Sequence, residues 1–157
     1  MQNVNKEKIM TTQNSAPSSS LSSLQIDHVA LNVPNYEETL AWYRDKLDAT
    51  IEREWTVDVF PDLKLAYLQV YGFRIEILGS TQSLPGMPET KDFGAGLRTS
   101  GIGHFCFRVD DVDAVLAELN RRGVPAFVEL GSYPDAGVRL CFVKDNNSNL
   151  IEFVTPL

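Results

Sequence analysis

Histidine is scarce in this chain: two among 157 residues, with only two cysteines beside them. Two cysteines are too few for a disulfide framework, which excludes the small secreted scaffolds held by cross-links. Cys106 and Cys141 each lie in an apolar, strand-like run and read as two buried thiols in a reducing compartment. Cations are in the minority as well. Fourteen Lys and Arg against 21 Asp and Glu leave a formal charge of −7. That balance disfavours nucleic acid and anionic membrane surfaces as partners, because both select clustered Lys and Arg. No apolar run approaches the length of a bilayer span. Residues 1–24 have too few apolar side chains to bury and no apolar stretch of the kind a secretory signal needs. They read as a disordered tail on a cytoplasmic protein.

What is present is ordinary globular material, 43% hydrophobic and 22% charged, enough for one domain with a real core. The two histidines stand in equivalent places within it. Glu76 follows His28 by 48 positions, and Glu152 follows His104 by the same 48. One shift of 76 residues carries the first pair onto the second, and it also carries Ile26 onto Ile102, Val33 onto Val109, Leu40 onto Leu116 and Ile75 onto Ile151. Repetition at this length indicates two copies of one supersecondary unit. A repeated His and carboxylate in register suggests a metal site closed from two similar halves.

Each copy opens with an alternating run, Ile26 to Val33 and Ile102 to Val109. Val29, Leu31 and Val33 oppose His28, Ala30 and Asn32; Phe105, Phe107 and Val109 oppose His104, Cys106 and Arg108. The apolar face of each run should pack on a helix, which leaves the His face to look elsewhere. A helix follows in both. Asn35 with Glu38 reads as a capping box, Leu40, Tyr43 and Leu47 as the first stripe, and Asp48 as the stop. Asp110 or Asp111 caps the second helix, Val112, Val115, Leu116 and Leu119 form its stripe, and Gly123 with Pro125 ends it. Three strands complete each copy, at about 50–56, 63–71 and 73–79, then at about 125–131, 137–144 and 149–155. The copies are bounded as a first module at 25–79 and a second at 101–157, joined by a Gly-, Pro- and Ser-rich linker at 80–100.

Two β-α-β-β-β units with His on the first strand and Glu on the fourth resemble the vicinal oxygen chelate superfamily. That superfamily includes glyoxalase I, methylmalonyl-CoA epimerase, extradiol dioxygenases and the fosfomycin and bleomycin resistance proteins. Ile26-Asp27-His28-Val29, Gly103-His104-Phe105 and Asn149-Leu150-Ile151-Glu152 carry the resemblance, which spans residues 26–155. It implies an α+β fold in which two βαβββ modules form a curved mixed sheet, or open barrel, around a metal site. It implies that His28, Glu76, His104 and Glu152 bind one divalent ion (Zn, Ni, Co, Mn or Fe(II)), which acts on a small-molecule substrate as a Lewis acid. A homodimer is also expected.

The ligand set is most similar to that of glyoxalase I, a lyase of the lactoylglutathione type, because the dioxygenases and fosfomycin resistance enzymes use a single Glu and the epimerase carries Gln where Glu76 stands. On that likeness Glu152 is the principal base and Glu76 its opposite-face counterpart, with proton transfer passing through an enediolate-like anion. Glyoxalase I has Arg four residues after its first ligand, where this chain has Asn32; Arg108 holds the equivalent place after His104. Arg108, Asn32 and Arg74 are the substrate-binding candidates, with pairing to Glu76 or Glu152 as the alternative for the two arginines. Trp55, Phe60, Tyr67 and Tyr71 read mainly as core packing and otherwise as pocket lining. The remaining alternatives are an epimerase, a ring-cleaving dioxygenase, or a metal-free sequestering protein of the bleomycin-binding kind.

Overall fold

A computed structural model describes residues 20–83, 93–98 and 100–157. Of the tail expected to be disordered, residues 1–19 lie outside that range and Ser20–Ser23 form one 3-10 turn. Residues 84–92 and 99 of the expected linker lie outside it too.

The first unit runs β1 (His28–Val33), α1 (Tyr36–Leu47), β2 (Thr50–Val57), β3 (Phe60–Val70) and β4 (Phe73–Ser80). A one-turn helix α2 (Phe93–Gly96) precedes the second unit: β5 (Phe105–Arg108), α3 (Val112–Arg121), β6 (Ala126–Tyr133), β7 (Val138–Lys144) and β8 (Leu150–Pro156). The sheets have the same order, β1-β4-β3-β2 and β5-β8-β7-β6. In each, the first and fourth strands pair parallel and the others antiparallel. The two βαβββ modules therefore form as expected. They form two separate four-stranded sheets, and neither closes on itself.

Alternation does the positioning. On β4, Ile75 and Ile77 are fully buried while Arg74, Glu76 and Leu78 are only partly so; on β8, Ile151 and Phe153 are buried against a half-buried Glu152. The buried set meets Leu40, Tyr43 and Leu47 of α1 and Val112, Leu116 and Leu119 of α3 in one core shared by both modules. Each fully buried Ile contributes about 1.5–3 kcal/mol. An aromatic seam joins the modules, with the Phe73 ring 5.9 Å from Phe105 and 5.4 Å from Phe107, and Phe107 5.6 Å from Phe153. The His/Glu faces are the reverse sides of these two sheets and point away from the common core.

The helix ends largely follow the sequence. Asp111 Oδ1 accepts from the Ala114 amide at 3.0 Å, as an N-cap should. Asp48 takes the left-handed conformation at φ 53° and ends α1. The capping box at Asn35 does not form. Asn35 Nδ2 donates to the Glu38 carboxylate and Thr39 Oγ1 donates to Asn35 Oδ1, so side chains bond to each other and leave the backbone amides uncapped. Strand β5 is shorter than expected and starts after His104. Gly101 sits at φ 132°, outside strand conformation, and the parallel pairing with β8 begins only at Phe105, opposite Ile151.

Candidate functional site

Each sheet presents one His/Glu pair on its open face. His28 is the first residue of β1 and Glu76 lies on the adjacent β4, with His28 Nε2 3.3 Å from Glu76 Oε2. His104 leads into β5 and Glu152 lies on the adjacent β8, with His104 Nε2 3.1 Å from Glu152 Oε2. Both carboxylates are shielded, 15% and 14% exposed, while the imidazoles are 30% and 36% exposed. Two donors each about 2.1 Å from one ion stand about 3.0 Å apart at a right angle and about 3.4 Å apart at the tetrahedral angle. Both pairs fall in that interval, and imidazole with carboxylate is a donor set suited to borderline divalent ions. The residues present therefore fit a divalent cation, two donors at a time.

The four side chains do not meet inside one chain. Among the described residues no three His, Cys, Asp or Glu side chains converge into a group able to hold an ion. The modules share their buried faces, and that packing turns the two pairs outward. Ile26 and Ile102, each two residues before a candidate ligand and related by the same 76-residue shift, are left 93% and 82% exposed.

The surroundings of the two pairs differ. His28 Nδ1 lies 2.7 Å from Asp27 Oδ1, a hydrogen bond in which the ring N–H donates, since an ionised carboxylate only accepts. The bond from His28, and then those from Arg74, hold the Asp27 carboxyl below its usual range. Arg74 Nη1 donates to both oxygens of Asp27 at 3.0 Å, and its Nε and Nη2 donate to Glu52 at 3.1 and 2.9 Å. Gln69 donates to the same Glu52 at 2.6 Å. The Arg74 guanidinium is thus engaged by two carboxylates, neither of them Glu76. Arg108 has no ion-pair partner among the described residues and stands exposed on the His104 face of β5. Asn32 is exposed on the His28 face of β1, across from Leu78.

Aromatic rings back both faces. Tyr67 lies 5.6 Å from His28 and 4.7 Å from Trp55, with Arg53 over the Trp55 ring and Arg74 over the Tyr67 ring. On the second face Phe142 lies 5.1 Å from His104 and 4.8 Å from Phe93 of α2. The core role read for the first-module aromatics is not what forms. Trp55 and Tyr67 line the open face, while Phe60 and Tyr71 are exposed. Cys106 likewise departs from expectation: it is exposed, and only Cys141 is buried. Its place in the alternation, on the His104 side, already argued for this. Sequence reasoning also missed Asp27 as a His28 partner, although its position one residue before the histidine was visible.

Two modules of one design, each carrying a His/Glu pair on its open face, define a class of proteins built by repeating one βαβββ unit. The chain belongs to the Glyoxalase/Bleomycin resistance protein/Dioxygenase superfamily, whose sequence model matches residues 25–153. It is 25% identical over 135 residues to mouse mitochondrial methylmalonyl-CoA epimerase, covering 82% of this chain and 71% of that one. Its fold is similar to that of a glyoxalase family protein from Enterococcus faecalis, at a TM-score of 0.69 and 26% identity over 83% of this chain and 96% of that one. At 17% identity it shares the fold of the fosfomycin resistance protein FosX from Listeria monocytogenes, solved with manganese(II) and sulfate (TM-score 0.58, 85% and 93% covered). The same holds for a glyoxalase I mutant from Zea mays (17% identity, TM-score 0.63), of which this chain spans 47% while 83% of this chain is covered. No helix among the described residues is long and apolar enough to cross a membrane.

Proposed function

We propose that this protein is a divalent-metal-dependent enzyme of the superfamily, of the glyoxalase I (lactoylglutathione lyase) type, which transfers a proton at a carbon beside an oxygen of a small substrate. Its site is completed by a second copy of the chain: His28 and Glu76 of one copy face His104 and Glu152 of the other. One observation carries this reading. Two equivalent pairs, each spaced as two donors to one ion, stand on open faces that the chain's own packing keeps apart. A twofold dimer joining unlike faces assembles two complete sets, and it covers Ile26 and Ile102 as it does so.

A divalent ion held by the four side chains supplies Lewis-acid stabilisation of the negative charge that develops on substrate oxygen. The chain's own residues do the rest. Glu152 takes the carbon-bound proton and returns it, and Glu76 is the carboxylate on the opposite side. Arg108, exposed and without a carboxylate partner among the described residues, binds an anionic group of the substrate. Asn32 offers an amide on the other face.

A second reading has one specific support. The epimerase relative, with 25% identity over 135 residues, favours epimerisation by the same proton removal and return.

The test is complementation between two crippled chains. One carries His28→Ala and Glu76→Ala, the other His104→Ala and Glu152→Ala. Each alone should bind no stoichiometric cobalt(II) or zinc and should isomerise neither a hemithioacetal nor a 2-methyl-branched acyl thioester. Mixed after mild dissociation, they should regain on the order of a quarter of the wild-type sites, because half the dimers are mixed and each mixed dimer holds one intact set. Full metal binding by a wild-type monomer, with no recovery on mixing, overturns the shared site. A wild-type protein that takes up metal but turns over neither substrate overturns the proton-transfer assignment.

A further inference from the structure

The two His/Glu pairs repeat in sequence and in spacing, but what stands behind them does not. Asp27 holds the outer nitrogen of His28 at 2.7 Å, Arg74 grips both oxygens of Asp27 at 3.0 Å, and Glu52 with Gln69 fixes Arg74 from its other side. The equivalent positions in the second module, 76 residues on, are Gly103 for Asp27, Leu150 for Arg74 and Val128 for Glu52. None of these three can reproduce the bonds. Accordingly, His104 has a ring contact with Phe142 and a short approach to Glu152, but among the described residues its Nδ1 has no carboxylate.

An imidazole ligates a metal through a nitrogen that carries no hydrogen. Which nitrogen is bare is set by the hydrogen bond the other one makes. For His28 the Asp27 carboxylate claims the proton on Nδ1, which leaves Nε2, 3.3 Å from Glu76 Oε2, as the nitrogen available to an ion seated between the two. Tyr67 packs at 5.6 Å against the same ring and limits its rotation. Asp27 is a surface side chain, 63% exposed. The two-point grip of Arg74 is what gives it one position, since a guanidinium fork binds a carboxylate in a fixed plane.

We propose that Asp27 and Arg74 are positioning residues for the metal ligand His28, and that they make the first-module half of the site the preorganised half while the His104/Glu152 half is left free to adjust. This rests on the metal-site reading above and assigns Arg74 to the protein's own ligand shell in place of the substrate. It also gives the pseudo-symmetric site a direction. The carboxylate assigned to move a proton, Glu152, stands in the half without the outer network.

Two measurements test it, and only one needs metal. In metal-free protein, long-range proton–nitrogen NMR correlations of the neutral imidazoles should show His28 held as the Nδ1–H tautomer and His104, whose Nε2 lies 3.1 Å from Glu152 with no carboxylate on Nδ1 among the described residues, as the Nε2–H tautomer. Asp27→Ala should move His28 toward the Nε2–H form, because Glu76 remains as the carboxylate beside its ring, and Asp27→Asn, whose carbonyl accepts the same hydrogen, should restore the Nδ1–H form. In cobalt(II) titrations of the intact protein, Asp27→Ala and Arg74→Ala should each weaken binding by about 10–100-fold, with most of the affinity recovered in Asp27→Asn. An Nε2–H tautomer at His28 in wild type, or cobalt affinity unchanged within about twofold in Asp27→Ala, overturns the assignment. If wild type binds no cobalt, the metal-site reading fails, and the tautomer measurement still decides whether Asp27 positions His28.

Discussion

Lys46 and Arg122 each hold the other's backbone: Lys46 Nζ donates to the Arg122 carbonyl at 2.5 Å, and Arg122 Nη1 donates to the Lys46 carbonyl at 3.3 Å. They stand 76 residues apart, the same shift that relates the two His/Glu pairs. A contact in which each member does to the other what is done to it is the mark of a twofold relation. Here both members belong to one chain, at the C-terminal ends of α1 and α3, where cations also satisfy the last helix carbonyls. The repeat is therefore a relation in space as well as in sequence, and its axis passes between the helix ends.

A second tie across the modules predicts a stability loss without an active-site change. The buried Tyr43 hydroxyl of α1 donates at 2.8 Å to Asp145 Oδ2 in the turn between β7 and β8, where Asp145 also accepts from Asn147 and Asn149. Tyr43→Phe should cost about 1–3 kcal/mol, because it removes a hydrogen bond to a buried carboxylate. Denaturant unfolding should show the loss while the transition stays single, since both modules share one core. Two separated transitions would contradict that core.

Acid should loosen the junction near the axis. Arg121, then Arg122, hold the Glu118 carboxyl down to about 2, and Arg122, with Tyr71 a smaller cause, holds Asp48 below its usual range. Carboxylates depressed in the folded state contribute stability above their unfolded pKa and lose it as pH falls toward the folded value. The melting temperature should therefore drop as pH is lowered from about 5 to about 2. In Arg122→Gln the same drop should be shallower. An equal pH slope in the variant would remove Arg122 from the explanation.

Gly79→Ala tests how closely α1 lies on β4. A Cβ at Gly79 would come within 2.6 Å of Tyr36 Cδ2, and Tyr36 has little freedom because its one hydroxyl hydrogen is shared between Glu54 and the Leu65 carbonyl. The expected cost is about 1–3 kcal/mol of overpacking, read as a lowered melting temperature. A neutral result would mean that the helix can shift.

Cys106 should be an unreactive thiol in spite of its exposure. Partial shielding of the sulfur from water, then its hydrogen bond to Glu152 and the charge there, push it up to about 12. In metal-free protein at pH 8, iodoacetamide should label it on the order of 10²–10³ times more slowly than a free thiol. Glu152→Gln should recover part of that rate, and rapid labelling of wild type would contradict the Cys106–Glu152 contact.

The parts legible in the sequence were those set by local periodicity. Alternation along 28–33 and 73–79 placed His28 and Glu76 on one face, and the stripe Leu40, Tyr43, Leu47 marked the helix that covers the other. How the modules sit on each other was not legible, because Tyr43 meets Asp145 across 102 residues and Phe73 meets Phe105 through ring packing, with no periodic signature for either. The same limit hid the role of Arg74. Strand parity put it beside Glu76, but its charge is taken up by Asp27, 47 residues away, and Glu52, 22 residues away.

The Phe73–Phe105–Phe107 seam sets more than the cohesion of the core. It is part of what holds the two sheets against each other, and the dimer proposed above, in which each chain offers two unlike faces, obeys a rule of closure. At one angle two chains satisfy each other and growth stops at a pair. At another, every chain added leaves a face open for the next, and the product is a filament. For that proposed dimer, shaving these three rings would thus alter the choice between pair and filament.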